Sequence, residues 1–158
     1  MTNSGKLPTS GYVFDKIYTN AISMRVTPPQ DGLPAEPPLL FTWDWKLLSP
    51  DRKTFEVSIS VGIDPSAKRQ EELRVTIIGR FRAEGERQEV PLDSFVRFHA
   101  PAILMPFARE TLSNMTARGF YETLLLPPLN VQTLMERQDV AATTGAKQML
   151  ELPLPAGT

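Results

Sequence analysis

Hydrophobic and polar residues alternate with period two along much of the first half of the chain. Phe41, Trp43, Trp45 and Leu47 alternate with Thr42, Asp44 and Lys46. Phe55, Val57, Ile59, Val61 and Ile63 alternate with Glu56, Ser58, Ser60 and Gly62. Leu73, Val75, Ile77 and Phe81 alternate with Arg74, Thr76 and Arg80, and Ile78 is the exception. Each run predicts a strand with one face in the core and one in water, and their succession predicts an antiparallel sheet. SPDRK and DPSAKRQ turn the chain between them. Upstream, Tyr12 to Val26 predicts a longer strand whose phase changes. Ile22, Met24 and Val26 share one phase, whereas Val13 and Ile17 lie in the other. Such a change predicts a bulge near Asn20. TPPQDGLPAEPP is then a proline-rich loop, because proline fixes φ and removes a backbone donor.

The pattern switches to helical spacing after His99. Ala102 to Ala108 carries no charge and no hydrogen-bonding side chain. Leu104, Ala108, Thr111, Leu112 and Met115 then recur on one helical face, with Arg109, Glu110, Ser113 and Asn114 elsewhere. This helix supplies the cover for the sheet. Being apolar all round at its start, it needs a second cover, either another subunit or a bound apolar partner. Pro101 fits the first turn. Pro106 either kinks the helix or marks where its regular part begins, and Gly119 is placed to end it. LLLPPLN is a connecting loop, and Asn130 can cap a short helix from Val131 to about Arg137. The expected organisation is a flexible segment 1–10, one domain 11–138 and a mobile tail 139–158.

Composition narrows the function. The chain has 158 residues, a formal net charge of -1 and no cysteine. The length suits one domain. Near-neutrality argues against nucleic acid, which needs concentrated positive charge. The absence of cysteine excludes disulfides and fits a reducing compartment. No apolar run is long enough for a signal peptide or a membrane span, so a cytoplasmic protein is expected. His99 is the single histidine and stands at a helix entrance. No GxSxG, phosphate loop or Cys/His metal spacing is present. The expectation is a protein that is not an enzyme and needs no cofactor or metal.

Several short stretches together resemble the SecB family of bacterial export chaperones. Ile17-Tyr18-Thr19 with Ile22-Ser23 resembles that family's first strand, Phe55-Glu56-Val57 a later one, and Gly79-x-Phe81 the close of its last. The fullest match is Ala100-Pro101-x-Ile103-Leu104-x-Pro106-Phe107-Ala108-Arg109-Glu110, followed by Met115, Arg118-Gly119, Pro128 and Asn130. The likeness spans roughly residues 14 to 138. It implies an α+β fold, with a four-stranded antiparallel sheet and a long and a short helix on one face. It also implies a homotetramer built as a dimer of dimers, and an ATP-independent holdase that takes non-native polypeptides into apolar grooves. In that family the SecA motor docks on acidic residues of the outer sheet face. The matching positions here are Ala21, Arg25 and Arg74, two of them with reversed sign. At about 4 Å and an effective dielectric near 20, such a reversal exchanges ~4 kcal/mol of attraction for repulsion before screening. SecA binding is therefore expected to be lost. Dedicated service to an antitoxin of a toxin–antitoxin pair, or a scaffold role without general chaperone activity, stand as alternatives.

A holdase binds many sequences through apolar area, with methionine and aromatic side chains adapting to varied shapes. The candidate client-binding residues are Phe41, Trp43 and Trp45 on the second strand, and Phe120, Leu124, Leu125, Leu126, Leu129, Leu134 and Met135 around the loop and short helix. Ordinary core packing is the alternative for each. The candidate oligomer interface is Ile103, Leu104, Phe107, Leu112 and Met115.

Overall fold

The fold was obtained as a computed structural model, which describes residues 10–143 and 150–153. Strands β1 (Tyr12–Val26), β2 (Pro38–Leu47), β3 (Thr54–Ile63) and β4 (Glu71–Ala83) form an antiparallel sheet in the order β1-β4-β3-β2. β2–β3 and β3–β4 pair as chain neighbours. β1 instead pairs with β4, because the proline-rich loop carries the chain from one flank of the sheet to the other. A fifth strand, β5 (Leu150–Pro153), pairs antiparallel with β2. It adds to the four expected strands, and its four residues in a Pro-punctuated segment carry too little pattern to register in the sequence.

β1 contains the bulge expected near Asn20, as a register shift between Thr19 and Ala21, and a second between Phe14 and Lys16. Each extra residue reverses the side-chain phase. Phe14, Ile17 and Ile22 therefore oppose Phe81, Gly79 and Val75, all on the helix-facing side, although their spacing is irregular. On that side Phe55, Val57, Ile59, Val61, Ile63, Leu73, Val75, Ile77 and Phe81 are fully buried. Each contributes about 1.5–3 kcal/mol of transfer free energy.

The helical layer begins with the turn α1 (Leu92–Ser94), widens into a π-helical stretch (Phe95–His99) and continues as α2 (Ala100–Ala117). In an unbroken α-helix Pro101 would clash with the carbonyl one turn back. The π stretch, whose Ala100 N–H bonds the Phe95 carbonyl, shifts the ladder just before it. The helix also runs through Pro106, which lies on its exposed side with Ala102, so the carbonyl that loses its bond is close to water. One stripe of α2, including Leu104, Met105, Ala108, Leu112 and Thr116, is buried against the sheet. Gly79 permits this approach: a Cβ there would stand 2.6 Å from Leu104.

α3 (Val131–Thr143) starts as expected, with the Thr133 N–H donating to Asn130 Oδ1 at 3.2 Å. It runs past Arg137 because QDVAAT contains no helix breaker. The expected mobile tail 139–158 is thus helical over 139–143 and paired over Leu150–Pro153. The rest of that tail, and residues 1–9 of the expected flexible N-terminus, lie outside the described residues.

Candidate client-binding surface

The segment between α2 and α3 holds the largest exposed apolar groups. Phe120 is 86% and Leu125 74% exposed. Their exposure follows from how the segment is pinned. The Leu124 N–H donates to Thr116 Oγ1 at 2.7 Å, and Arg109 Nε donates to the Leu126 carbonyl at 3.1 Å. Near the helix end, Arg69 Nη2 donates to the Glu122 carbonyl at 2.7 Å, and its guanidinium lies 5.7 Å from the Tyr121 ring. An extended chain held this way turns successive side chains to opposite sides. Leu124 and Leu126 enter the core, while Leu125 faces out.

Arg69 is itself held by the Glu71 carboxylate, 2.7 Å from its Nε, and Glu71 is fully buried. Gly119 lets α2 end against this pair: a Cβ there would stand 2.9 Å from Glu71 Oε1 and 3.1 Å from the Met24 methyl. Sequence reasoning passed over Arg69, Glu71 and Thr116. One signal was present, since Glu71 shares the core phase of Leu73, Val75 and Ile77. An acidic residue in an apolar phase calls for a cationic partner.

The client-binding candidates therefore separate. Phe41, Leu124, Leu126, Leu134 and Met135 are buried within the chain itself. Trp43, Trp45 and Leu129 are half-buried at the core margin, and Trp43 Nε1 donates to the Val96 carbonyl at 2.9 Å. Phe120 and Leu125 stand free. The interface candidates separate as well. Leu104 and Leu112 are sealed against the sheet, Met115 is half-buried, and Ile103 and Phe107 are each 37% exposed one turn apart on α2. Phe14 of β1 packs edge-on to Phe107 at 6.3 Å. Farther along β1, Ile22 and Val26 are 53% exposed and Met24 is also exposed on the same side. At that end α2 is already finishing, with Gly119 beside the Met24 methyl.

The opposite face of the sheet is polar. Ala21, Arg25 and Arg74 come together there: Ala21 opposes Thr76, Ser23 opposes Arg74 and Arg25 opposes Glu72. Arg74 lies 3.8 Å from Asp64. At the centre of this face, Glu56 accepts from Arg80 Nη2 at 2.8 Å and Tyr18 Oη at 3.2 Å, with Lys46 Nζ at 3.4 Å. Burial pushes the Glu56 carboxyl up, but the bonds from Arg80, Lys46 and Tyr18 together outweigh it and hold it below its ordinary value. Burial and the neighbouring Glu56 charge push the Tyr18 hydroxyl up. Among the described residues no group of three or more metal-ligating side chains occurs.

The family model described as Preprotein translocase subunit SecB matches residues 9–142. The chain belongs to the SecB family. The protein-export protein SecB of Methylococcus capsulatus is 28% identical over 144 residues, covering 87% of this chain and 91% of its own. That of Aromatoleum aromaticum is 26% identical over 161 residues, covering 98% and 99%. A solved Mycobacterium tuberculosis SecB-like chaperone, in complex with a ChAD peptide from the HigA1 antitoxin, matches with a TM-score of 0.54 at 17% identity, over 75% of this chain and 90% of that one. The four-stranded antiparallel sheet with a long helix followed by a shorter one is similar to that chaperone's fold. The SecB family is one of non-enzymatic chaperones, and no helix among the described residues is long and apolar enough to cross a membrane.

Proposed function

We propose that this SecB-family chain is an ATP-independent cytoplasmic holdase that works as an oligomer and serves protein export. The observation that carries the reading is the pinned loop that presents Phe120 and Leu125 to solvent. A soluble protein that spends hydrogen bonds on holding oily side chains outward has a use for them. Trp43, Trp45 and Leu129 extend that surface at the core margin. Clients are unfolded or partly folded polypeptides. Burying about 400 Å² of client at roughly 25 cal/mol/Å² gives ~10 kcal/mol gross, and ordering the client offsets much of it. Several copies of the site on one oligomer recover affinity through effective concentration.

The oligomer is supported by β1. It is a sheet edge fifteen residues long, with Ile22, Met24 and Val26 exposed beside it and Ile103 and Phe107 exposed on α2. A long apolar edge is an aggregation hazard unless another copy covers it. A second copy there, and pairing of dimers to a tetramer, accounts for that surface.

The test is suppression of aggregation of an unrelated unfolded protein without nucleotide, together with mass by light scattering. Suppression by a dimer or tetramer supports the reading. No suppression at stoichiometric excess, or a clean monomer at micromolar concentration, overturns it. A second reading, dedicated protection of an antitoxin, is favoured by one observation: Arg25 and Arg74 reverse the acidic character expected for SecA docking. Weak or absent SecA binding by calorimetry, with a toxin–antitoxin pair beside the gene, supports this second reading. Submicromolar SecA affinity supports export.

A further inference from the structure

The inference concerns the turn that leads into β4, and it rests on the holdase reading above. The backbone of Arg69 is fixed on both sides. Its N–H donates to Ser66 Oγ at 3.0 Å, its carbonyl accepts from the Ser66 N–H at 2.7 Å, and Ser66 is fully buried. The Arg69 side chain is only 11% exposed and meets three groups at once. Nε bonds the Glu71 carboxylate at 2.7 Å, Nη2 donates to the Glu122 carbonyl at 2.7 Å, and the guanidinium lies 5.7 Å from the Tyr121 ring centre. Tyr121 in turn stands edge-on to Phe120, with ring centroids 5.3 Å apart and planes at 80°. Glu71 is the first residue of β4 and is fully buried. One of its oxygens bonds Arg69. The other, Oε1, has no hydrogen-bond partner among the described residues and lies beside Gly119.

We propose that Arg69 is a positioning residue for client binding: oriented by Glu71, it holds Phe120 in its exposed pose through Tyr121 and the Glu122 carbonyl. The client segment it serves is an unfolded polypeptide with an apolar side chain to set against the Phe120 ring.

The geometry needs arginine. A planar guanidinium bonds in two directions and lies against a ring at the same time, whereas lysine offers one ammonium on a flexible stem. The pair is also a poor device for stability alone. A buried carboxylate with one oxygen unbonded keeps part of its desolvation cost, and apolar residues of similar volume often replace a buried ion pair without loss. What the pair supplies is direction, and Phe120 needs it. At 86% exposed, that ring is not fixed by packing in the core. An unheld loop would have to be ordered each time a client binds. Ordering the backbone of one residue corresponds to about a tenfold change in an equilibrium constant, and a loop ordered beforehand avoids it.

The test uses the full chain, which has no native cysteine. Two variants are compared with the wild type. Arg69→Met with Glu71→Leu removes both charges together, so no buried carboxylate is left unpaired. Arg69→Lys keeps a cation for Glu71 but loses the fork and the plane. Binding of carboxymethylated, permanently unfolded α-lactalbumin is titrated, urea unfolding reports stability, and a nitroxide on Glu122→Cys reports loop motion by electron paramagnetic resonance without client. Both variants should bind the probe about tenfold more weakly. The double variant should keep the wild-type urea midpoint or exceed it. The nitroxide should be immobilised in the otherwise wild-type chain and mobile in both variants. A purely structural role for Arg69 would leave probe binding and nitroxide motion unchanged in the stable double variant, and either result overturns the proposal. If the probe binds no form, the wild type included, the holdase reading fails. The nitroxide then decides the positioning claim by itself: motion released in the variants supports it, and equal immobilisation overturns it.

Discussion

β1 and β2 occupy opposite flanks of one sheet, and both turn branched or aromatic side chains toward the helical layer. Their surroundings differ. On β2, Trp43 donates to the Val96 carbonyl of the π-helical stretch, Leu39 and Phe41 belong to the buried core that also holds Leu124, Leu126, Leu134 and Met135, and β5 pairs with part of its edge. β1 meets Phe107 near its start and Gly119 at Met24, and its Ile22, Met24 and Val26 stay exposed. Apolar content alone therefore does not say whether a strand is sealed. What decides is how far the covering elements reach. α2 lies over β3 and β4 and ends at Gly119, and the chain then returns along α2, with Leu124 bonded to Thr116 and Leu126 to Arg109. The sealed flank stores stability, and the open one is free for association.

The sharpest way to break this comparison is to charge the open flank. Ile103→Glu with Phe107→Glu should leave the far-UV circular dichroism intact and weaken self-association by about 5 kcal/mol, since two apolar contacts are lost and two carboxylates desolvated. Light scattering should then give monomer at micromolar concentration. An unchanged oligomer mass would mean that the open flank is not where copies meet. Next in size, Arg69→Met leaves the buried Glu71 carboxylate without its partner and should cost about 3–5 kcal/mol in urea unfolding. Faster amide exchange over 120–124 than over β3 should accompany it, because Arg69 also holds the Glu122 carbonyl.

Two adjacent leucines sharpen the same contrast. Leu126→Ala empties a core site and should destabilise by about 2–5 kcal/mol. Leu125→Ala should change stability by less than about 0.5 kcal/mol, yet weaken binding of an unfolded probe several-fold by titration. Equal losses of stability at both positions would show that the loop is not held with alternate sides in and out.

The smallest effect is electrostatic. Because the Glu56 carboxyl is held below its ordinary value when folded, its stabilisation is complete above the ordinary carboxylate range and is lost as pH falls through the folded value. Glu56→Gln should therefore cost about 1 kcal/mol at pH 7, given that Arg80 and Lys46 are largely exposed. The difference from wild type should shrink below about pH 4.5. A difference independent of pH would mean that the ion pairs contribute nothing.

Much of this was legible in the chain. The alternation of β3 and β4 marked nearly every inward residue, and the irregular phase of β1 announced its bulge near Asn20. Asn130 was recognised as a cap, and Gly119 as the end of α2. Three features were not legible. The second bulge at Phe14/Lys16 lies where a single phase reversal has too few residues on one side to be seen. β5 has only four residues. What the Arg69–Glu71 pair holds, the Glu122 carbonyl and the end of α2 at Gly119, comes from a different part of the chain.

By itself, the sequence determined the local geometry: which residues form strands and helices, which side of each is apolar, and the bulge near Asn20. Those are short-range matters of side-chain period and backbone preference. Only the tertiary structure decided which apolar residues are hidden. Leu124, Leu125 and Leu126 are chemically identical, and Ile103 and Leu104 nearly so, yet one of each set is exposed while its neighbour is buried. Burial depends on what arrives from distant parts of the chain, and no local pattern records where a covering helix stops.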